Sequence, residues 1–240
     1  RLYMAQKKKI RFDELLHFPN VLQNPENMAG NWKAFFGNDR RITLELACGK
    51  GEYAVGMGRL YADRNFLGVD IKGNRIWVGA KKALQEGMKN VGFLGTQIDR
   101  IDAYFSKGEV QDIWITFPDP QLRLSRAKKR LTHPIFLRRY QQFLEADSYI
   151  HVKTDSPVLY AFTRTVADLY GIEVLVAEQD LYKTPPTDPV LSIPTHYEQL
   201  DIAKSSRVHY LKLKLPRQPL PDRDEQLKEY IRERETQGGY

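Results

Sequence analysis

The chain has 240 residues, of which 42% are hydrophobic and 28% charged, enough for one α/β domain with a sizeable core. No apolar run approaches the roughly 18 residues of a membrane span, and the opening RLYMAQKKKIRF lacks the apolar stretch of a secretory signal. The one cysteine, Cys48, excludes an internal disulfide and fits a reducing cytoplasm, while the net charge of +7 points to a polyanionic partner such as nucleic acid.

Residues 1–40 form a basic N-terminal extension, with Lys7, Lys8, Lys9 and Arg11 followed by scattered aromatics, Pro19 and Pro25. The first residue is not Met, as expected of a trimmed chain. Residues 41–215 alternate strand-like and helical patterns and form the main domain. Strands are expected at Ile42–Leu46, Phe66–Val69, Val91–Leu94, Asp112–Phe117, Tyr149–Val152, Ile172–Val176 and Val208–Leu215. Ile76, Ala80, Ala83 and Leu84 repeat at helical spacing between Gly73 and Met88, and Phe136, Tyr140, Phe143 and Leu144 do the same. Ser156 before Pro157 reads as a helix N-cap with proline at the first helical position. The expected fold is α/β, a Rossmann-like, mostly parallel open sheet with helices on both faces and an antiparallel final strand. Residues 216–240 hold the linker PRQPLP and a charged tail, DRDEQLKEYIRERET.

Two blocks carry the chemistry. In the first, the strand ITLEL runs into ACGKG, and GVD follows about 20 residues later at Gly68–Asp70. Gly49 and Gly51 allow close backbone approach to a nucleotide-type ligand, and Asp70 ends the second strand where a carboxylate binds ribose hydroxyls. The dinucleotide fingerprint G-x-G-x-x-G is absent. The loop is E-x-A-C-G-K-G, which resembles the variant of Rossmann-like S-adenosylmethionine-dependent methyltransferases. Glu45 lies between Leu44 and Leu46 at the first strand's end, which favours a functional carboxylate over a solvated one.

The second block is ITFPDPQLRLSRAKKRLT, from Ile115 to Thr132. Pro118 and Pro120 restrict the backbone around Asp119 and end the strand, placing a carboxylate at the sheet edge where ligands bind. Arg123, Arg126, Lys128, Lys129, Arg130, Arg138 and Arg139 follow with no acidic residue among them. Solvated faces usually mix both signs, so Arg126, Lys128, Lys129 and Arg130 read as RNA phosphate contacts.

Together these motifs resemble the bacterial tRNA (guanine-N7)-methyltransferases over roughly residues 10–215. LELACGKGEY is similar to that family's cofactor loop, GVD to its second-strand acid, and TFPDP with KKRLTHP to its substrate segment. KTD at Lys153–Asp155 and THYE at Thr195–Glu198 match two later motifs. The chain departs at Ala47, where a glycine is usual, at Gln121 for a Trp, at Arg123 for a Lys, at Ser125-Arg126 for an Arg-His pair, and at Gln97 for an acid. The resemblance implies methyl transfer from S-adenosylmethionine to guanine 46 of the tRNA variable loop. It also implies a cytoplasmic, monomeric or homodimeric enzyme. Glu45, Asp70 and Gln97 then belong to the cofactor site with Gly49 and Gly51. Asp119, Arg123, Asp155, Thr195 and Glu198 belong to the substrate side, with Asp119 the catalytic contact.

Each motif has a plainer reading. Thr195 and Glu198 have the spacing of a helix capping box, Asp155 can begin the turn before Pro157, and Cys48 reads as a small packed residue. The five histidines show no ligand spacing, so no metal site is indicated. Two other functions fit less well. Methylation of an exocyclic amine by a D-P-P-Y-like loop ranks lower, because Asp119 lies between the prolines and no aromatic follows. A catalytically silent RNA-binding module is disfavoured by the retention of Glu45, Gly49, Gly51 and Asp70.

Overall fold

In a computed structural model, residues 1–196, 198 and 207–236 are described; Tyr197 of THYE and the end of the tail lie outside them. Among the described residues one sheet holds β1 (Val21–Gln23), β2 (Ile42–Leu46), β3 (Asn65–Asp70), β4 (Val91–Gly95), β5 (Val110–Thr116), β6 (Ile150–Thr154), β7 (Glu173–Glu178) and β8 (His209–Lys214). Their order is β1-β4-β3-β2-β5-β6-β8-β7. All neighbours pair parallel except β8, which runs antiparallel to β6 and β7. The expected open sheet with an antiparallel final strand is therefore present. The seven expected strands are found, six from largely apolar runs and β8 from the alternation of VHYLKLKL.

β1 is a strand the sequence pattern does not mark. Three residues are too few to show a period, and only pairing with β4 defines it (Val21 with Phe93, Leu22 with Leu94). Residues 1–40 also supply α1 (Leu2–Leu15) and α2 (Trp32–Phe36). Trp32 is buried, donates from Nε1 to the Tyr104 carbonyl at 2.8 Å and stacks on Phe105.

Helices cover both faces. α1, α3 (Glu52–Leu60) and α4 (Gly73–Gln85) lie on one side; α2, α5 (Pro134–Gln141), α6 (Pro157–Tyr170) and α7 (Asp224–Tyr230) lie on the other. The caps follow the local sequence. Ser156 Oγ accepts from the Leu159 amide ahead of α6, and His133 Nδ1 accepts from the Ile135 amide ahead of α5.

The strand period of two decides which residues reach the ligand edge. Leu44 and Leu46, Ile113 and Ile115, and Ile150 and Val152 join the core beneath α5 and α6. The intervening positions, Glu45, Trp114, Thr116, His151 and Lys153, face α3. Trp114 and His151 stack there with ring centres 4.0 Å apart, and His151 Nδ1 lies 2.7 Å from the Tyr210 hydroxyl. Thr116 pairs with Lys153 in register, so Glu45, Thr116 and Lys153 come together at the carboxyl edge.

Candidate active site

The loop after β2 turns back on itself in three left-handed steps, with Ala47 at φ 51°, Gly49 at 55° and Gly51 at 71°. A Cβ at Gly51 would sit 2.5 Å from the Phe93 ring, so both conformation and space demand glycine there. Ala47 holds its position at a steric cost of about 1–2 kcal/mol, and the loop persists without the usual glycine. Gly49 N–H donates to Asp70 Oδ2 at 2.8 Å, and Lys72 N–H donates to Oδ1 at 2.9 Å. The Asp70 carboxylate is thus fixed at the end of β3 and aimed across the glycine loop. Beside it opens a cleft of about 420 Å³, walled by Phe12, Ile71, Gly73, Thr96, Gln97 and Arg100. Gln97 stands on the wall of this cleft, after β4. Phe12 of α1 also lines it, a contribution no local motif announces.

Glu45 is 1% exposed. Its oxygens accept from the Tyr53 and Ala54 amides at the start of α3, at 3.3 and 3.1 Å, and from the Thr116 hydroxyl at 3.3 Å. Helix N-terminal amides favour an anion. Burial outweighs them and, with the nearby Glu52 charge, raises the Glu45 pKa to about 8. The group is therefore mostly protonated at neutral pH and poised to ionise next to a cation. Cys48 is buried in the same loop and its thiol is pushed well up by burial, as befits a packed residue rather than a nucleophile.

Phe117 leaves β5 at φ 48°, and Pro118-Asp119-Pro120 follows. Asp119 is exposed, and its Oδ1 accepts from the Gln121 amide at 2.9 Å. Gln121, itself at φ 48°, also accepts from Arg126 Nε through its side-chain oxygen. Arg123, Arg126, Lys128 and Lys129 are exposed around this loop.

Arg130 departs from the expectation of a phosphate contact. It is fully buried, and its guanidinium meets both oxygens of Glu235, at 2.6 and 2.9 Å. It is unavailable to a phosphate. A short 3-10 turn over Leu124–Lys129 leaves its two lysine neighbours outside while the third cation points in. The basic run alone cannot reveal that phase.

Thr195 and Glu198 realise the capping box. Glu198 N–H donates to Thr195 Oγ1 at 3.2 Å, and Thr195 N–H donates to Glu198 Oε2 at 3.2 Å. Thr195 is buried. The second Glu198 oxygen accepts from Lys153 Nζ at 3.2 Å. Lys153, which the motifs do not mark as a site residue, is fully buried and also donates to the hydroxyls of Tyr53 and Tyr182, at 2.6 and 2.7 Å. Burial lowers its pKa and Glu198 opposes the drop. Its one signal in the sequence is a lysine inside the otherwise apolar-patterned run IHVKT. Asp155 is exposed at the end of β6, on the rim of a cavity of about 840 Å³ that Tyr160, Arg164, Arg207 and His209 also line. Ser156 does the capping, which leaves Asp155 at the sheet edge. No helix among the described residues is long and apolar enough to cross a membrane. No metal-binding cluster of His, Cys, Asp or Glu occurs among them.

The same fold recurs in solved methyltransferases. The 16S rRNA methyltransferase KamB superposes with a TM-score of 0.58 at 14% identity, covering 82% of this chain and 99% of its own. A SAM-dependent methyltransferase from Aquifex aeolicus gives 0.51 at 13% identity, over 72% and 81%. These likenesses establish the fold alone, a mostly parallel Rossmann-like sheet with helices on both faces. A family model described as "Putative methyltransferase" matches residues 39–211. The tRNA (guanine-N(7)-)-methyltransferase of Bacteroides thetaiotaomicron is 43% identical over 224 residues, 90% of this chain and 88% of its own. That of Porphyromonas gingivalis is 46% identical over 206 residues, 83% and 84%. The chain belongs to the tRNA (guanine-N7)-methyltransferase family.

The residues present fit the cofactor. A Cβ at Gly49 would meet nothing within 4 Å, so the loop leaves open space at Gly49. The Asp70 carboxylate is held at the end of β3 by the Gly49 and Lys72 amides, and the cleft of about 420 Å³ beside it is large enough for a purine. When bound, S-adenosylmethionine supplies an electrophilic methyl group on a sulfonium.

Proposed function

We propose that this protein methylates N7 of a guanosine in tRNA, guanine 46 of the variable loop. The observation that carries this reading is the placement of Asp119. Its carboxylate stands exposed just beyond β5, the strand that pairs Trp114 with Glu45, on a loop ringed by exposed Arg123, Arg126, Lys128 and Lys129. N7 of guanine has an in-plane lone pair and no proton. Its attack on a methyl group therefore requires no general base, only alignment and tolerance of charge. Alignment contributes about 7–11 kcal/mol in well-oriented systems. Asp119 accepts from the guanine N1–H and 2-amino group and offsets the positive charge that develops on the purine. Glu45, Gly49, Gly51, Asp70 and Gln97 hold the cofactor. Arg123 and Asp155 flank the base, and Arg126, Lys128 and Lys129 contact RNA phosphates. Thr195 and Glu198 shape the far wall through the Lys153 network.

The test is incubation of the protein with an unmodified tRNA transcript and S-adenosylmethionine, then mass spectrometry of the digested nucleosides. The expected product is 7-methylguanosine, lost when guanine 46 is replaced. An N2-methylated guanosine, or no methylated nucleoside, overturns the reading.

A further inference from the structure

We propose that Glu235, near the end of the charged tail, is a positioning residue for methyl transfer. It acts through Arg130 on the loop that carries Asp119. The inference rests on the reading of Asp119 given above and deepens it.

Arg130 uses its fork in two directions. Toward the tail, Nη1 and Nη2 donate to the two Glu235 oxygens, and both side chains are almost wholly excluded from water. Toward the site, Nε donates to the Pro120 carbonyl at 3.0 Å and Nη2 to the Gln121 carbonyl at 3.2 Å. The guanidinium also lies over the Phe162 ring of α6, 4.5 Å from its centre. Pro120 and Gln121 directly follow Asp119, and the Gln121 amide is the group that holds the Asp119 carboxylate. The backbone there is strained, with non-glycine residues at φ 48° on both sides of Asp119. Such conformations last only where the surroundings over-determine them, and Arg130 supplies two of the restraints.

Glu235 is what allows Arg130 to do this. A buried guanidinium requires an anion, and residues 121–143 contain none. The partner comes from 105 residues away, on a π-helical turn (Ile231–Glu235) that continues α7. Leu227 anchors α7 in the core. Without Glu235, the nearest acid along the loop is Asp119, one residue before the carbonyl that Arg130 already holds. Glu235 therefore satisfies the cation, keeps the loop in shape and leaves the Asp119 charge free for the guanine.

The experiment measures single-turnover methylation with saturating tRNA and cofactor, alongside cofactor affinity by calorimetry and thermal stability. Glu235→Gln is expected to slow transfer about tenfold or more while cofactor affinity stays within about twofold, and Glu235→Asp to recover part of the rate. In combination with Asp119→Asn, Glu235→Gln is expected to add little further loss, because both act on one carboxylate. If Glu235→Gln does not fold, Arg130→Met with Glu235→Met removes both charges at similar volume and is expected to show the same rate loss. A folded Glu235→Gln, or double-Met, protein with the parent rate overturns the proposal, leaving the pair a plain pin for the tail. Fully additive losses with Asp119→Asn overturn it too. If Asp119→Asn itself keeps the parent rate, the reading of Asp119 fails instead, a distinct result.

Discussion

Glu45 makes the stability of this protein depend on pH in a calculable way. Its carboxyl is buried beneath α3, and its folded pKa is about 8 against an ordinary 4.5. The unfolded chain therefore releases this proton more readily than the folded one. Stability from the protonated form is fully present below pH 4.5 and is lost as pH rises through 8. Each tenfold in a protonation equilibrium is about 1.4 kcal/mol, so the loss reaches about 3 kcal/mol by pH 7 and about 5 kcal/mol above pH 8. Glu45→Gln keeps the shape and an acceptor for the Tyr53 and Ala54 amides but does not titrate. Urea unfolding of both proteins between pH 5 and 9 isolates this group, because every other titration is common to them. The parent is expected to lose stability relative to the Gln variant by about 1.4 kcal/mol per pH unit, flattening above pH 8. Parallel profiles would refute the argument and mean that Glu45 is ionised in the folded protein. On the proposed reading, in which Glu45 belongs to the cofactor site, a bound cationic cofactor would reverse the balance. Binding of S-adenosylmethionine at pH 7 is thus expected to release close to one proton, read from calorimetry in buffers of different ionisation heat.

If Asp70 binds the cofactor ribose as proposed, Asp70→Ala removes charge-assisted hydrogen bonds worth about 1.5–3 kcal/mol and should weaken cofactor binding at least about tenfold; unchanged calorimetric affinity in the folded variant would remove Asp70 from the site. Replacing Arg126, Lys128 and Lys129 by Ala should weaken all tRNAs alike and flatten the dependence of affinity on salt by about 0.7–0.9 log units for each phosphate that is no longer neutralised. A slope equal to the parent's would place the RNA elsewhere. Asp119→Ala should keep near-parent cofactor affinity and reduce the single-turnover rate about a hundredfold or more, the scale of one preorganised electrostatic interaction. Asp119→Asn should retain part of that rate only if acceptance of hydrogen bonds matters more than charge.

The strands and the glycine loop are legible in the chain itself, because their signals are local. A run such as ITLEL must cross a sheet, the left-handed turn around Gly49 and Gly51 needs their missing side chains, and Pro118 and Pro120 stop β5 wherever it lies. Ser156, with Pro157, is legible as a cap for the same reason, and Thr195 with Glu198 as a capping box. That Glu45 shares a face with Thr116 and Lys153 is set by the register of β2, β5 and β6, which no single run carries. What the local pattern cannot carry is the partner of each group. Lys128, Lys129 and Arg130 are consecutive cations of like chemistry, and only packing against Phe162 and Glu235 sends the third inward. Val21–Gln23 becomes a strand only because the edge of β4 is open to it. Lys153 looks like a surface lysine until Tyr53, Tyr182 and Glu198, brought from three distant segments, close around its ammonium. Burial of a charge is a property of everything folded against it, so these assignments belong to the tertiary structure alone.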